Sequence, residues 1–239
     1  MANPTAAMLV IGDEILSGRT RDSNLHFLAQ ALTRVGIELK EARLVPDDHA
    51  AIVAGVRALS GVYDQVFTSG GIGPTHDDIT ADAVAEAMGA AIGKRADAMA
   101  LLSAHYGRQG VEFNEARQRM ARIPDGAALI DNPVSVAPGF SIGNVHVMAG
   151  VPTVFEAMVA SVLPTLTGGA PLLSQSLRVM RGEGQIAAEF GALAAEFPDL
   201  SMGSYPFQKD GVFGTNLVIR GTDPARLNAA MARLVDLFG

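Results

Sequence analysis

The stretch TSGGIGPTHDDIT, residues 68–80, decides the reading of this chain. It holds three glycines, Gly70, Gly71 and Gly73, together with Pro74, Thr75, His76 and the adjacent acids Asp77 and Asp78. The apolar run YDQVF precedes it, and ADAVAEAMG, with alanine, valine and methionine at helical spacing, follows it. That order predicts a strand, a loop and a helix. A glycine loop opening a helix leaves backbone N–H groups free for an anion such as phosphate. The loop is not a Walker A motif, because no Gly-Lys-Ser/Thr follows, nor a dinucleotide fingerprint, because His76 stands where the third glycine belongs.

Working outward, the same strand–helix alternation recurs. AAMLVIGDEI is a continuous apolar run, as in a strand buried on both faces, and DSNLHFLAQALTRVG is an amphipathic helix with Asp22 or Ser23 as its cap. IELKEARLV and DDHAAIVAGVRALSG repeat the unit, and residues 95–122 read as two further helices. GAALIDNP, APGFSIGNVHVMAGVP and TVFEAMVASVLPTL read as two strands and a closing helix. Short connections between alternating elements predict an α/β chain, with helices on both sides of a mostly parallel sheet. TGGAPLLSQ, 167–175, marks a boundary, after which SLRVMR, QIAAEFGALAAEF, MGSYPF, TNLVIRG and DPARLNAAMARLVDLF form a small α+β unit. The expected domains are 1–168 and 174–239.

Composition sets limits on function. The 239 residues carry a net charge of −7, with lysine only at 40, 94 and 209, which argues against a general nucleic-acid binder. Cysteine is absent, so disulfides and thiol catalysis are excluded. The N-terminus lacks a basic leader and no apolar run is long enough to span a bilayer, so a cytoplasmic protein without membrane or nucleic-acid partners is expected.

In an open parallel sheet, ligands bind beyond the carboxyl ends of the strands. Three loops converge there: the one bearing Gly12, Asp13 and Glu14, the one bearing Asp47 and Asp48, and the one that begins at Ser69. Asp77 and Asp78 either cap the following helix or hold a cation. Beside a phosphate cradle, paired carboxylates repel the ligand unless Mg²⁺, Mn²⁺ or Co²⁺ lies between them. Asp47 and Asp48 either start the second helix or serve the same rim. Arg117, Arg119 and Arg122 read as one face of a helix, solvated or clamping phosphate. NP at 132–133, APG at 137–139 and GVP at 150–152 are rigid turns that line a pocket if they reach the same edge.

GDEILSGRTRDSN, TSGGIGPTHDDITADAVAEAMG, IPDGAALIDN, APGF and MAGVP stand in the order of the molybdopterin-binding (MoaB/Mog-type) domain family. The chain resembles most closely its competence/damage-inducible protein A (CinA) branch, and it also resembles the front half of eukaryotic FAD synthases. The tail, with RGEGQ and GSYPF, is similar to the small domain that follows in CinA-like proteins. The resemblance implies a three-layer α/β/α sandwich and a homo-oligomer, dimer or trimer. It also implies a nucleotide or pterin phosphate as small-molecule ligand. Asp78 matches the family's acidic catalytic position and Asp47 another acidic position, while the doubled Asp77-Asp78 is the mark of the CinA-like branch. That branch implies a metal-dependent pyrophosphatase acting on ADP-ribose or a related dinucleotide. Binding or adenylylation of molybdopterin, and nucleotide or pterin binding without turnover, are the alternatives. The expected catalytic residues are Asp78, Asp77 and Asp47, with Asp77 and Asp78 on the metal. Gly12, Asp13, Glu14, Ser69, Gly70, Gly71, Gly73, Pro74, Thr75, Arg119, Asn132, Pro138, Gly139 and Gly150 are the expected substrate contacts. The chain departs from the family at Ser135 and Val136, where Gly-Thr is usual, at Arg119-Met120-Ala121, at Ala149, and at Val154, where glutamate is usual.

Overall fold

The computed structural model describes residues 2–209 and 211–239, with the side chains of Lys209 and Val212 left aside. The chain divides into two compact units, residues 1–169 and 170–239.

The first unit is built on β1 (Thr5–Ile11), which is followed by a one-turn helix α1 (Asp13–Leu16) and by α2 (Asn24–Arg34). Next come β2 (Glu38–Val45), α3 (His49–Ser60), β3 (Gln65–Ser69) and α4 (Thr80–Met88). β4 (Ile92–Lys94), α5 (Ala96–Gln109), the single turn α6 (Glu115–Gln118) and β5 (Arg122–Pro124) form an excursion. β6 (Ala128–Ile130), β7 (Gly139–Ile142), β8 (Val145–Met148) and α7 (Pro152–Val162) complete the unit. The main sheet runs β2-β1-β3-β8-β7-β6. The first four strands are parallel; β7 is antiparallel to both β8 and β6.

Side-chain alternation along β1 produces the layers. Ala7, Leu9 and Ile11 enter one cluster with Ile52, Val56 and Leu59 of α3 and Val84 of α4. Ala6, Met8 and Val10 enter the other, with Leu28 and Leu32 of α2 and Phe155 and Met158 of α7. Each fully buried leucine or phenylalanine contributes on the order of 1.5–3 kcal/mol. A strand sealed on both faces has no polar face to show, hence the unbroken apolar run.

Three readings of the sequence need correction. Residues 112–122 are not one helix: Asn114 caps α6, a 3₁₀ turn follows at Arg119–Ala121, and Arg122–Pro124 pairs with β4 as a two-stranded sheet. That pairing, Ile92 opposite Pro124 and Lys94 opposite Arg122, outweighs local helical preference. APGFSIGNVHVMAGVP is a hairpin of two strands, turning at Gly143 with φ +57°, where the left-handed backbone favours glycine. Finally, α4 begins at Thr80, so neither Asp77 nor Asp78 caps it.

The second unit consists of β9 (Leu173–Val179), α8 (Glu183–Glu196), β10 (Ser201–Lys209), β11 (Val212–Gly221) and α9 (Pro224–Phe238). Its antiparallel sheet runs β10-β11-β9. Leu217 and Ile219 of β11 pack with Ile186 and Phe190 of α8 and with Leu227, Leu234 and Phe238 of α9. Asp223 accepts from Ala225 N–H at 2.8 Å and caps α9, whose first turn holds Pro224. Among the described residues no helix is long and apolar enough to cross a membrane.

Candidate functional site

The carboxyl ends of β1, β2, β3 and β8 open on one edge, and the loops leaving them enclose a cleft of about 730 Å³. Its first half comes from Gly12 and Glu14, Asp47, and the loop residues Gly70, Gly71, Gly73, Asp77 and Asp78. Its second half comes from Met120, Asn132, Ser135, Ala137, Ala149, Gly150, Val151 and Val154.

Glycine is required in the loop by close approach. At Gly70, φ +111°, a Cβ would lie 2.2 Å from the carbonyl oxygen of Ile11; at Gly71, φ +69°, it would lie 2.1 Å from Thr80 Oγ1. The first loop and the third are therefore in backbone contact. Beyond them the loop closes on itself. Asp78 Oδ2 accepts from Thr75 N–H at 2.7 Å and from the Thr75 hydroxyl at 2.5 Å. Asp78 N–H in turn donates to Thr75 carbonyl oxygen at 3.3 Å. Asp77 lies outside this turn with its side chain 63% exposed, and His76, 98% exposed, stands 3.9 Å from it. The nearby Thr75 hydroxyl, then the Asp77 backbone N–H, hold the Asp77 carboxyl below its usual range.

The second loop separates its two acids. Asp48 caps α3, accepting from Ala51 N–H at 2.8 Å. Asp47 turns into the cleft and accepts from Asp13 N–H at 3.0 Å, which ties the first loop to the second. Partial burial raises the Asp47 carboxyl above its usual range; the Asp13 hydrogen bond opposes this, and the charges of Glu14, Asp13 and Asp77 add to it.

The second half is set by Asn132, 2% exposed. Its Oδ1 accepts from Val134 and Ser135 N–H, and its Nδ2 donates to Ser135 Oγ and Ala137 carbonyl oxygen. Val136 follows at φ +66°, a left-handed conformation costly for a β-branched residue. Gly150 packs on the loop: a Cβ there would lie 3.3 Å from Gly70 Cα. Val154, 7% exposed, is a buried wall residue.

Of the expected contacts, Gly12, Glu14, Gly70, Gly71, Gly73, Asn132 and Gly150 line the cleft with Asp47, Asp77 and Asp78. The others act from behind. Asp13 supports Asp47, Thr75 pins Asp78, and Pro74 lies within that turn, while Ser69 is buried. Gly139 is in β7, where a Cβ would lie 2.3 Å from Val147 carbonyl oxygen. Pro138 and Arg119 line a small recess of about 20 Å³ behind the loop. The three arginines do not share a helix face. Arg117 donates to Glu112 carbonyl oxygen and lies over Tyr106, Arg122 pairs with Asp82, and Arg119 donates to Asp78 carbonyl oxygen at 3.3 Å.

Asn24 escaped the reading of the sequence. It is 3% exposed, and its Nδ2 donates at 2.8 Å to both Ser69 Oγ and Gly150 carbonyl oxygen, stapling β3 to the loop after β8. The signal was present: Asn24 precedes Leu28, Ala31 and Leu32 on the buried stripe of α2, where a polar residue requires a partner.

The family model described as "Probable molybdopterin binding domain" matches residues 7–168. The chain belongs to this molybdopterin-binding domain family. Residues 171–239 match the model for the middle domain of FAD synthase. A "Probable FAD synthase" of Caenorhabditis elegans is 32% identical over 259 residues, covering 98% of this chain and 50% of that protein. A "CinA-like protein" of Citrifermentans bemidjiense is 38% identical over 167 residues, covering 68% of this chain and 40% of that protein. The chain thus spans half or less of the length of these two relatives. The crystal structure of the protein CinA from Thermoplasma acidophilum superposes with TM-score 0.63 at 32% identity, covering 69% of this chain and 99% of that one. The family description names molybdopterin binding for residues 7–168, and the likeness to FAD synthase extends through residues 171–239.

Asp77 and Asp78 leave different carboxylate oxygens free. Among the described residues no group of three or more His, Asp or Glu side chains is arranged around a metal position. Asp78 Oδ2 is committed to Thr75, which leaves its Oδ1 and the exposed Asp77 carboxylate. One or two carboxylates, with the remaining positions filled by water and ligand phosphate, is the set Mg²⁺ ordinarily accepts.

Proposed function

We propose that the first unit is a metal-dependent enzyme that hydrolyses the diphosphate of a nucleotide such as ADP-ribose. One observation carries this reading: Glu14, Asp47, Asp77 and Asp78 line a nucleotide-sized cleft beside a glycine loop, and no lysine, arginine or histidine lines it among the described residues. A diphosphate enters such a cleft only with a cation. Asp77 and Asp78 Oδ1 would hold that cation, which supplies charge neutralisation on the phosphates and a more acidic water. The Gly70–Gly73 backbone orients the phosphates. Asp47, with its proton affinity raised by burial and neighbouring acids, takes the proton of the attacking water. Water adds to phosphorus as the bridging P–O bond breaks, so ADP-ribose yields AMP and ribose 5-phosphate. Asn132, Met120 and Val154 form the wall against which the organic part of the ligand lies.

The test is AMP release from ADP-ribose with Mg²⁺, Mn²⁺ or Co²⁺ by wild type and Asp78→Asn. An asparagine oxygen still accepts from Thr75, so the melting temperature should stay close to wild type. Turnover is expected to fall at least about a hundredfold, a typical loss for a charge acting on the transition state. Undiminished turnover would remove Asp78 from the reaction.

A pterin ligand is the second reading, favoured by the family's description and by the apolar wall of Met120, Ala137, Val151 and Val154, which suits a planar ring. Tight molybdopterin binding with no dinucleotide hydrolysis would select it. Self-association as a dimer or trimer, also part of this proposal, is checked by light scattering of the purified chain.

A further inference from the structure

The acidic cleft raises a question of charge that the cation alone does not answer. Its four lining carboxylates face a ligand with two phosphates, and a single divalent ion leaves the assembly strongly negative. The two arginines that border the recess behind the loop are committed, Arg119 to Asp78 carbonyl oxygen and Arg122 to Asp82.

The segment between α1 and α2 is different. Thr20 lines the cleft and is held there by its N–H, which donates to Glu14 carbonyl oxygen at 2.9 Å. Arg19 and Arg21 flank it. Both are exposed, and neither has an ion pair or side-chain hydrogen bond among the described residues. Gly18, at φ +72° with open space around its Cβ position, precedes them. Two uncommitted guanidinium groups are therefore tethered on either side of a residue that forms the wall of an acidic pocket. Guanidinium is the side chain best matched to phosphate oxygens, by its fixed fork of donors.

We propose that Arg19 and Arg21 form a cationic arm that folds onto the phosphates of the bound ligand, so that the cleft selects diphosphate-bearing ligands over their uncharged counterparts. The inference rests on the reading of the cleft as a cation-diphosphate site, and it adds a recognition element that the acids and glycines do not supply. Neither arginine takes part in the proton or phosphorus chemistry; each acts on affinity and selectivity.

The experiment is calorimetric titration of the whole chain with ADP plus Mg²⁺ and, separately, with adenosine, at low and at physiological ionic strength. Wild type and the double variant Arg19→Gln/Arg21→Gln are compared. The expected result is that wild type prefers ADP, that the double variant weakens ADP binding about tenfold or more, and that adenosine binding is unaffected. The salt dependence of ADP binding should flatten in the variant, because two screened charges have been removed. The melting temperature should be unchanged, since the two side chains hold nothing in place, and this separates recognition from folding. Equal ADP affinity and salt dependence in wild type and variant would overturn the arm while leaving the cleft intact. A wild type that binds neither probe, or binds ADP no better than adenosine, would overturn the cleft reading and the arm with it.

Discussion

The two halves of the cleft are built on opposite principles. The half formed after β1, β2 and β3 is charged, and its shape comes from backbone approach: Gly70 against Ile11, Gly71 against Thr80, Asp13 N–H on Asp47. The half formed by residues 120–154 is largely apolar. Its shape comes from one buried amide, Asn132, and from packing by residues such as Val154. On the function proposed above, the first half takes the phosphates and cation of a nucleotide and the second its ring-bearing part. The contrast also shows where each half is vulnerable, the first to added volume and the second to altered strain or charge burial.

The largest expected effect is at the seam. Gly70→Ala places a methyl 2.2 Å from a backbone carbonyl at φ +111°, so urea unfolding should show a loss of at least about 3 kcal/mol. Retained stability would mean that the first and third loops separate easily, and that the charged half is not rigid.

Acid sensitivity of the fold should come from below the apolar half. His146 of β8 is 5% exposed, between Ser141 Oγ and Gln65 Oε1, each at 2.8 Å, and burial depresses its pKa from 6.5 to about 4. Unfolded chains take up its proton first as pH falls. Its contribution is thus present above about pH 6.5 and is lost progressively down to pH 4, by up to about 3 kcal/mol. His146→Gln should flatten this dependence; an equally steep fall in the variant would assign it to the acids of the other half.

Smaller effects distinguish the halves further. Val136→Gly removes a left-handed β-branched residue from the apolar half and should raise stability by about 1 kcal/mol, relief of strain outweighing the greater freedom of the unfolded glycine. In the charged half, ionised Asp47 opposes folding above its raised pKa and ceases to do so when protonated. Asp47→Asn should therefore stabilise at neutral pH by about 0.5 kcal/mol, the effect being small because solvent screens the site. The same variant should impair cation-dependent turnover. Lower stability with full turnover would reverse the role given to Asp47.

How far the sequence foretells this arrangement follows the same division. The parallel core was legible because β1 is sealed on both sides and so reads as an unbroken apolar run, and each following helix carries a clear stripe. The charged half was legible because its groups follow directly on strand ends, where side chains at a sheet edge converge. Of the other half, Asn132 and Gly150 were legible as turn residues, and tertiary pairing hid the rest. Arg122–Pro124 joins β4 from a segment with helical preference, which scatters Arg117, Arg119 and Arg122, and Met120 faces the cleft as a result. Asn24 acts through hydrogen bonds to Ser69 and Gly150, both distant in sequence, and no local spacing reports such partners.

The central claim, that a cation must accompany a diphosphate into the acid-lined half, is tested most directly by calorimetric titration of wild type with ADP-ribose, first with chelator and then with Mg²⁺. Negligible binding in chelator and saturable binding of one ligand per chain with the cation are expected. Equal affinity in both conditions would contradict it.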